Sequence, residues 1–185
     1  SLGIGHVRYS TKGASQIRNA QPQLVETLFG PLGIAHNGNL INNAELRREL
    51  LSKGIGLSTS TDTEVILQTL SRPIRDERNE DVWENRILEF MKSCKGAYSL
   101  VIMTRNAIYG VRDPLGFRPL CIGEVLDDDK NVIGHMTASE SCALSTVGAR
   151  YLREVLPGEV IKIDKNGLHS CFTLNSDLQA LCIFE

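Results

Sequence analysis

The chain has 185 residues, 42% of them hydrophobic and 23% charged, with a net charge of −2 at pH 7. That balance is ordinary for one globular domain with a substantial core, and it excludes any general electrostatic attraction to nucleic acid or to an anionic membrane. No apolar run approaches the roughly 20 residues of a membrane span, and Ser1-Leu2-Gly3 does not open a signal peptide. The five cysteines (Cys94, Cys121, Cys142, Cys171 and Cys182) are odd in number and form no C-x-x-C pair, which favours reduced, mostly buried thiols in a cytosolic protein.

In chain order, Leu2 to His6 reads as the inside of a strand with no cap or linker before it, as in a fragment whose first elements are missing. Tyr9 to Gln23 is polar and aperiodic, a loop of the length often used for binding. Leu24 to Ala35 carries two apolar runs broken by Gly30-Pro31, a predicted hairpin. The second run stops at Asn37-Gly38, a pair that readily turns, and a helix follows from an Asn43 cap to about Lys53, with Gly54 placed to end it. Val65-Ile66-Leu67 and Leu70 share one helical face, so a second helix starts near Asp62 and stops by Pro73. Arg72 to Asp81 is a charged loop, and Val82-Trp83, Ile87-Leu88 and Phe90-Met91 predict a third helix ending near Gly96.

From Ala97 the pattern changes to strands: 97–103, 108–111, 120–122, 134–138, 159–164 and 168–174. Arg105-Asn106, Asp113 to Gly116, Asp127 to Asn131, Pro157-Gly158 and Lys165 to Gly167 are turns or exposed loops between them. Residues 142–153 read as a short helix or turn. Strands, then helices, then strands predict an α+β protein rather than alternating βαβ units.

Three stretches carry chemistry. Asn37-Gly38, at the end of a buried strand, can aim a side-chain amide and a backbone N–H into one space, two neutral donors of the kind a developing oxyanion needs. Arg8, in Gly5-His6-Val7-Arg8-Tyr9-Ser10-Thr11, can grip a carboxylate with two parallel N–H bonds, although alone it reads equally as a surface arginine. Asp62, in Ser58-Thr59-Ser60-Thr61-Asp62-Thr63-Glu64, is either an anion for a substrate ammonium or an exposed helix cap. His6 and His36 read as structural hydrogen-bonders rather than general bases.

Together and in this order, these motifs resemble the glutaminase half of the N-terminal-nucleophile (class II) glutamine amidotransferases, over essentially the whole chain. The resemblance implies a four-layer αββα N-terminal-nucleophile hydrolase sandwich, incomplete at its N-terminus. It implies that Asn37 and Gly38 form the oxyanion hole, that Arg8 helped by Thr11 holds the glutamine carboxylate, and that Asp62 receives the α-amino group. The family's nucleophile is an N-terminal cysteine whose own α-amine is the base. Ser1 is not its equivalent, lying only five residues from His6, and none of the five cysteines has an α-amine to offer. The chain by itself is therefore expected to be inactive.

Arg112-Asp113-Pro114-Leu115-Gly116-Phe117-Arg118-Pro119-Leu120, Ser139-Glu140-Ser141 and the ending Leu181 to Glu185 narrow the resemblance to the amidophosphoribosyltransferase family. Their value is diagnostic, since Asp113-Pro114 and Arg118 read by themselves as a turn and a surface ion pair. A glucosamine-6-phosphate synthase type would carry Trp where Tyr9 stands, and an asparagine synthetase would lack the Arg8 motif. A non-catalytic glutamine-binding or regulatory domain of the same fold is the alternative from another class. The resemblance implies a glutaminase domain over 1–178, truncated at its start, and a crossover from 179 towards an absent phosphoribosyltransferase domain using Mg²⁺ and phosphoribosyl pyrophosphate. It further implies a cytoplasmic enzyme of purine synthesis, a homo-oligomer when full length, with no nucleic-acid or membrane partner. Cys182 matches the first of four cysteines that bind an iron–sulfur cluster in some members, and reads equally as a buried structural thiol.

Overall fold

The computed structural model describes residues 1–7, 16–73 and 82–176. A hairpin opens the fold: β1 (Gln23–Thr27) and β2 (Gly30–Leu40) pair antiparallel about the Leu28-Phe29 turn. Three helices follow, α1 (Asn43–Ser52), α2 (Asp62–Ser71) and α3 (Val82–Ser93). The remaining elements are β3 (Gly96–Met103), β4 (Ala107–Arg112), β5 (Cys121–Leu126), β6 (Val132–Ala138), α4 (Ser141–Thr146), β7 (Arg150–Glu154), β8 (Glu159–Asp164) and β9 (Gly167–Thr173). They build a six-stranded sheet in the order β1-β2-β3-β4-β8-β9 and a three-stranded sheet in the order β6-β5-β7, with every pairing antiparallel.

The apolar residues sort these elements into layers. Leu46 and Leu50 of α1, Val65, Ile66 and Leu70 of α2, and Ile87 and Phe90 of α3 are buried together with Leu32, Ile34, Leu100 and Ile102 of the large sheet. The Phe90 and Tyr98 rings meet at 5.5 Å between centroids. A second apolar cluster, from Leu120, Ile122, Val155, Ile161 and Ile163, lies between the two sheets. On the far side of the small sheet, Leu144 of α4 packs against Cys121 and lies over Gly123. The order helices, large sheet, small sheet, helix is the expected αββα sandwich.

The structure differs from the sequence reading at several places. Residues 1–7 form no regular element, although a strand was predicted for Leu2 to His6; their backbone joins no ladder among the described residues. Asn37-Gly38 is not a turn: β2 runs through it, with Asn37 opposite Ser99 and Gly38 opposite Tyr98. An Asn-Gly pair turns a chain when its flanking runs can pair with each other, but this run pairs with β3, some 60 residues away. Gly38 keeps its positive φ of 146° inside the strand, where a Cβ would stand 2.1 Å from the Ala97 carbonyl oxygen. Gly96 mirrors it on β3, with φ 150° and the Asn39 carbonyl oxygen 2.3 Å from any Cβ.

Helix caps move by one residue. Asn42 rather than Asn43 precedes α1, and its side chain ties the helix to the end of α3 by donating to the Ser93 carbonyl and accepting from the Lys95 N–H. Thr61 caps α2 through the Glu64 N–H, which leaves Asp62 as the first helical residue. Strand β7 escapes the sequence reading because four of its five residues are exposed and a register shift between Ile122 and Gly123 breaks its alternation. Of the four described cysteines, Cys94 and Cys121 are buried, Cys171 is half-buried and Cys142 is exposed, and none forms a disulfide. Burial pushes the Cys94 thiol up to about 12, so it stays protonated. Among the described residues, no helix is long and apolar enough to cross a membrane.

Candidate active site

The site forms where β2 outruns β1. Pairing with β1 ends at Ile34, so beyond that residue the edge of β2 away from β3 has no strand partner among the described residues. The His36 N–H on that edge donates to Gln21 Oε1 at 2.7 Å, and the Leu40 N–H donates to Asp62 Oδ2 at 3.1 Å. Strand alternation places the Gly38 N–H on the same edge between the two. Tyr98, opposite Gly38, turns its own N–H and carbonyl away to Asp113, at 3.3 and 2.9 Å. Gly38 is exposed, so a ligand can approach its backbone directly.

Asn37 and its register partner Ser99 share the opposite pleat, facing the loop that follows β4. Ser99 Oγ donates to the Pro119 carbonyl at 2.6 Å, and Asn37 Oδ1 accepts from an Arg118 guanidinium nitrogen at 2.7 Å. With its oxygen occupied, the Asn37 amide meets no acceptor for its Nδ2 hydrogens among the described residues.

Asp62 enters from the start of α2 and is half-buried. His36 Nδ1 lies 3.6 Å from Asp62 Oδ1, an electrostatic contact longer than a hydrogen bond, and 3.4 Å from Thr63 Oγ1. Burial pushes the Asp62 carboxyl up, but the His36 ring and the Leu40 N–H outweigh it and leave its pKa below the ordinary 3.8. A lowered native pKa means that the unfolded chain binds the proton more tightly. The contribution of Asp62 to stability is therefore complete above its unfolded pKa and is lost as pH falls through the lower folded value. The stability gap between the parent and Asp62→Asn, followed by urea denaturation, should accordingly shrink as pH falls through the folded-state value of Asp62.

The loop behind this site is itself tightly bound. The fully buried Asp113 carboxylate accepts from the N–H groups of Tyr98, Leu115, Phe117 and Arg118, at 3.0 to 3.3 Å. Arg112, also buried, donates to the carbonyls of Arg118, Gly116 and Val155 and to Glu154. The 112–118 loop is therefore held through its own backbone, which fixes where the Arg118 side chain departs.

Of the expected residues, the structure sets Asp62 against the Leu40 N–H on the edge of β2 that also carries the Gly38 N–H, and Asn37 next to Gly38 with its amide on the opposite pleat against Arg118. Arg8, Thr11 and Cys182 lie outside the described residues. Ser1 is no closer to serving as nucleophile than its sequence position suggested. His6 Nε2 contacts the His36 carbonyl at 3.1 Å while the Ile4 side chain lies over Gly33, so residues 4–6 advance along β2 in its own direction and the chain before them leads away from Gly38. Among the described residues, no three His, Cys, Asp or Glu side chains converge as a metal site would need.

A family model described as a glutamine amidotransferase domain matches residues 6–145, a span that contains Asn37, Gly38, Asp62, Asp113 and Arg118. The chain belongs to the glutamine amidotransferase domain family. This amidotransferase domain is 46% identical over 198 residues to the amidophosphoribosyltransferase of Rattus norvegicus, spanning 100% of this chain and 38% of that protein. It is 42% identical over 185 residues to the amidophosphoribosyltransferase of Synechococcus elongatus, spanning 100% of this chain and 36% of that protein. The solved structure of the B. subtilis glutamine phosphoribosylpyrophosphate amidotransferase, complexed with ADP and GMP, superposes with a TM-score of 0.79 at 36% identity, covering 96% of this chain and 36% of that one. The amidotransferase domain therefore spans well under half the length of these relatives, and its sandwich is the N-terminal-nucleophile hydrolase fold that they share.

Sequence reasoning missed the parts of the amidotransferase site that act at long range. Arg118, which by local sequence reads as a surface ion pair, also reaches Asn37, 81 residues away. Asp113 was read as a turn residue, and the turn is real, but its carboxylate also holds β3 through Tyr98. The local half of that role was legible, because an Asp followed by Pro-x-Gly commonly accepts N–H bonds from the next few residues.

Proposed function

We propose that this chain is the glutaminase domain of an amidophosphoribosyltransferase, the enzyme that makes phosphoribosylamine from glutamine and phosphoribosyl pyrophosphate in the first committed step of purine synthesis. The observation that supports the reading is the order of groups at the end of β2: the Asn37 amide held by Arg118 on one pleat, the neighbouring Gly38 N–H on the strand's open edge and, on that edge beside Leu40, the Asp62 carboxylate. A glutamine whose side-chain carbonyl lies at Asn37-Gly38 places its α-ammonium towards Asp62, with Arg8 and Thr11 the residues proposed for its α-carboxylate.

The chemistry then follows the family's pattern. An N-terminal cysteine, outside these 185 residues, attacks the side-chain amide carbon. The negative charge that develops on the carbonyl oxygen is stabilised by Asn37 Nδ2–H and Gly38 N–H. The cysteine's α-amine takes the thiol proton and passes it to the departing ammonia. Water cleaves the resulting thioester, again through an oxyanion held by the same two donors, and glutamate leaves. Asp62 keeps its charge at neutral pH, as an ammonium anchor must.

Ammonia is then proposed to displace pyrophosphate from phosphoribosyl pyrophosphate, with Mg²⁺, in the part of the protein beyond this chain. An iron–sulfur cluster would need four thiolates, of which Cys182 supplies one. These residues do not complete such a site, and no step depends on it. Residues 1–178 are assigned to the glutaminase domain and 179–185 to the crossover. A cytoplasmic homo-oligomer without nucleic-acid or membrane partners completes the reading.

The full-length protein given glutamine, phosphoribosyl pyrophosphate and Mg²⁺ should form glutamate and pyrophosphate in equal amounts. Glutamate without pyrophosphate would assign the ammonia to another acceptor. The 185 residues alone should release no ammonia from glutamine; release would show that the nucleophile lies within them.

A further inference from the structure

We propose that Arg118 is a positioning residue for glutamine hydrolysis, acting by locking and polarising the Asn37 amide. This rests on the reading of Asn37 as an oxyanion donor. A primary amide presents an acceptor at one end and donors at the other, and a half-turn about its last torsion exchanges them. An Asn37 rotated that way would point its carbonyl oxygen at the developing oxyanion and repel it. The Arg118 guanidinium only donates, so its contact with Oδ1 at 2.7 Å selects the orientation that leaves Nδ2–H to the substrate. It also places a permanent positive charge on the amide oxygen, which draws electron density from nitrogen and strengthens the Nδ2–H donors.

The setting argues that this contact is built. Arg118 is anchored at both ends of its own peptide unit, its N–H on Asp113 Oδ2 at 3.0 Å and its carbonyl on Arg112 Nε at 2.8 Å. Both anchors are buried side chains. Ser99, the register partner of Asn37, secures the next carbonyl, that of Pro119, at 2.6 Å. The guanidinium thus projects from a loop whose backbone is fixed without it, so the side chain can be changed while the loop stays in place. Preorganising a donor in this way lowers the barrier without tightening substrate binding, because the donor acts most on the charged state.

The test is steady-state glutamine hydrolysis by the full-length protein and its Arg118→Gln, Arg118→Lys, Asn37→Ala and Asn37→Ala/Arg118→Gln variants, each checked for an unchanged thermal transition. Arg118→Gln should lower kcat by about tenfold or more, with KM within about twofold. Arg118→Lys, which keeps a cationic donor, should recover part of the loss. In the Asn37→Ala background the Arg118→Gln change should have no further effect on kcat, since the group it positions is gone. A normal kcat in Arg118→Gln, or a double variant that falls by the full product of the single losses, would overturn the positioning role. Should Arg118→Gln prove unstable, the Arg118→Lys variant and its Asn37→Ala double carry the same comparison. A parent enzyme that hydrolyses glutamine and an Asn37→Ala variant that does so equally well would instead overturn the oxyanion reading beneath it.

Discussion

Gly38→Ala should abolish glutamine hydrolysis by the full-length protein and weaken the fold at the same time. The added methyl would stand 2.1 Å from the Ala97 carbonyl oxygen and 2.7 Å from Tyr98 Cα, both backbone atoms of the facing strand. Neither can swing aside as a side-chain tip would. The φ of 146° adds strain for any residue with a Cβ, of the order of 1–3 kcal/mol, and forcing the atoms apart adds a similar amount. The ladder between β2 and β3 must then open at the point where the Gly38 N–H and the Asn37 amide are aimed. Gly54→Ala is the matching control, since its φ is 77° but nothing lies within 4 Å of the new methyl. It should cost about 1 kcal/mol and leave hydrolysis intact. Urea midpoints and glutamate release measured on both variants separate the two effects, and a Gly38→Ala enzyme within a few-fold of the parent would contradict the close approach of the strands.

Asp113→Asn should be the most damaging near-isosteric change in the domain. The carboxylate accepts four backbone N–H groups through two oxygens. An asparagine has one such oxygen and would turn an NH₂ towards donors that need an acceptor. Leaving buried N–H groups unpaired costs about 1–3 kcal/mol each before relaxation, so a net loss of about 3 kcal/mol is expected from denaturant unfolding. Because the same carboxylate holds the Arg118 N–H, hydrolysis should fall as well. Asp128→Asn, at an exposed turn position, should leave the unfolding midpoint nearly unchanged. Equal stabilities for the two variants would show that the 112–118 loop is not held through Asp113.

What the sequence made legible was local. The period of apolar residues placed α2 and α3, a capping Asn and a terminating Gly placed α1 to within a residue or two, and the near-continuous apolar run from Ala97 to Met103 marked β3 as a strand. The Asn37-Gly38 pair was legible as chemistry but not as geometry. Its glycine is required by a strand some 60 residues later, and no local pattern shows a backbone that approaches from that distance. Arg118 was illegible for the same reason, since nothing around residue 118 indicates that its partner is Asn37. Asp62 was half legible: its place at a helix start was clear, but Thr61 took the capping role. That left the Asp62 carboxylate to meet His36 and the Leu40 N–H. Where function depends on contacts between distant segments, periodicity and turn chemistry reach only the edges of the site.

The most direct test of the oxyanion assignment is a comparison of kcat and KM for glutamine in the full-length protein and its Asn37→Ala variant. A donor that acts on charge present only in the transition state should cost about 10²–10³ in kcat when removed, with KM nearly unchanged. A raised KM with kcat intact would make Asn37 a substrate-binding residue instead, and the oxyanion hole would have to be sought elsewhere.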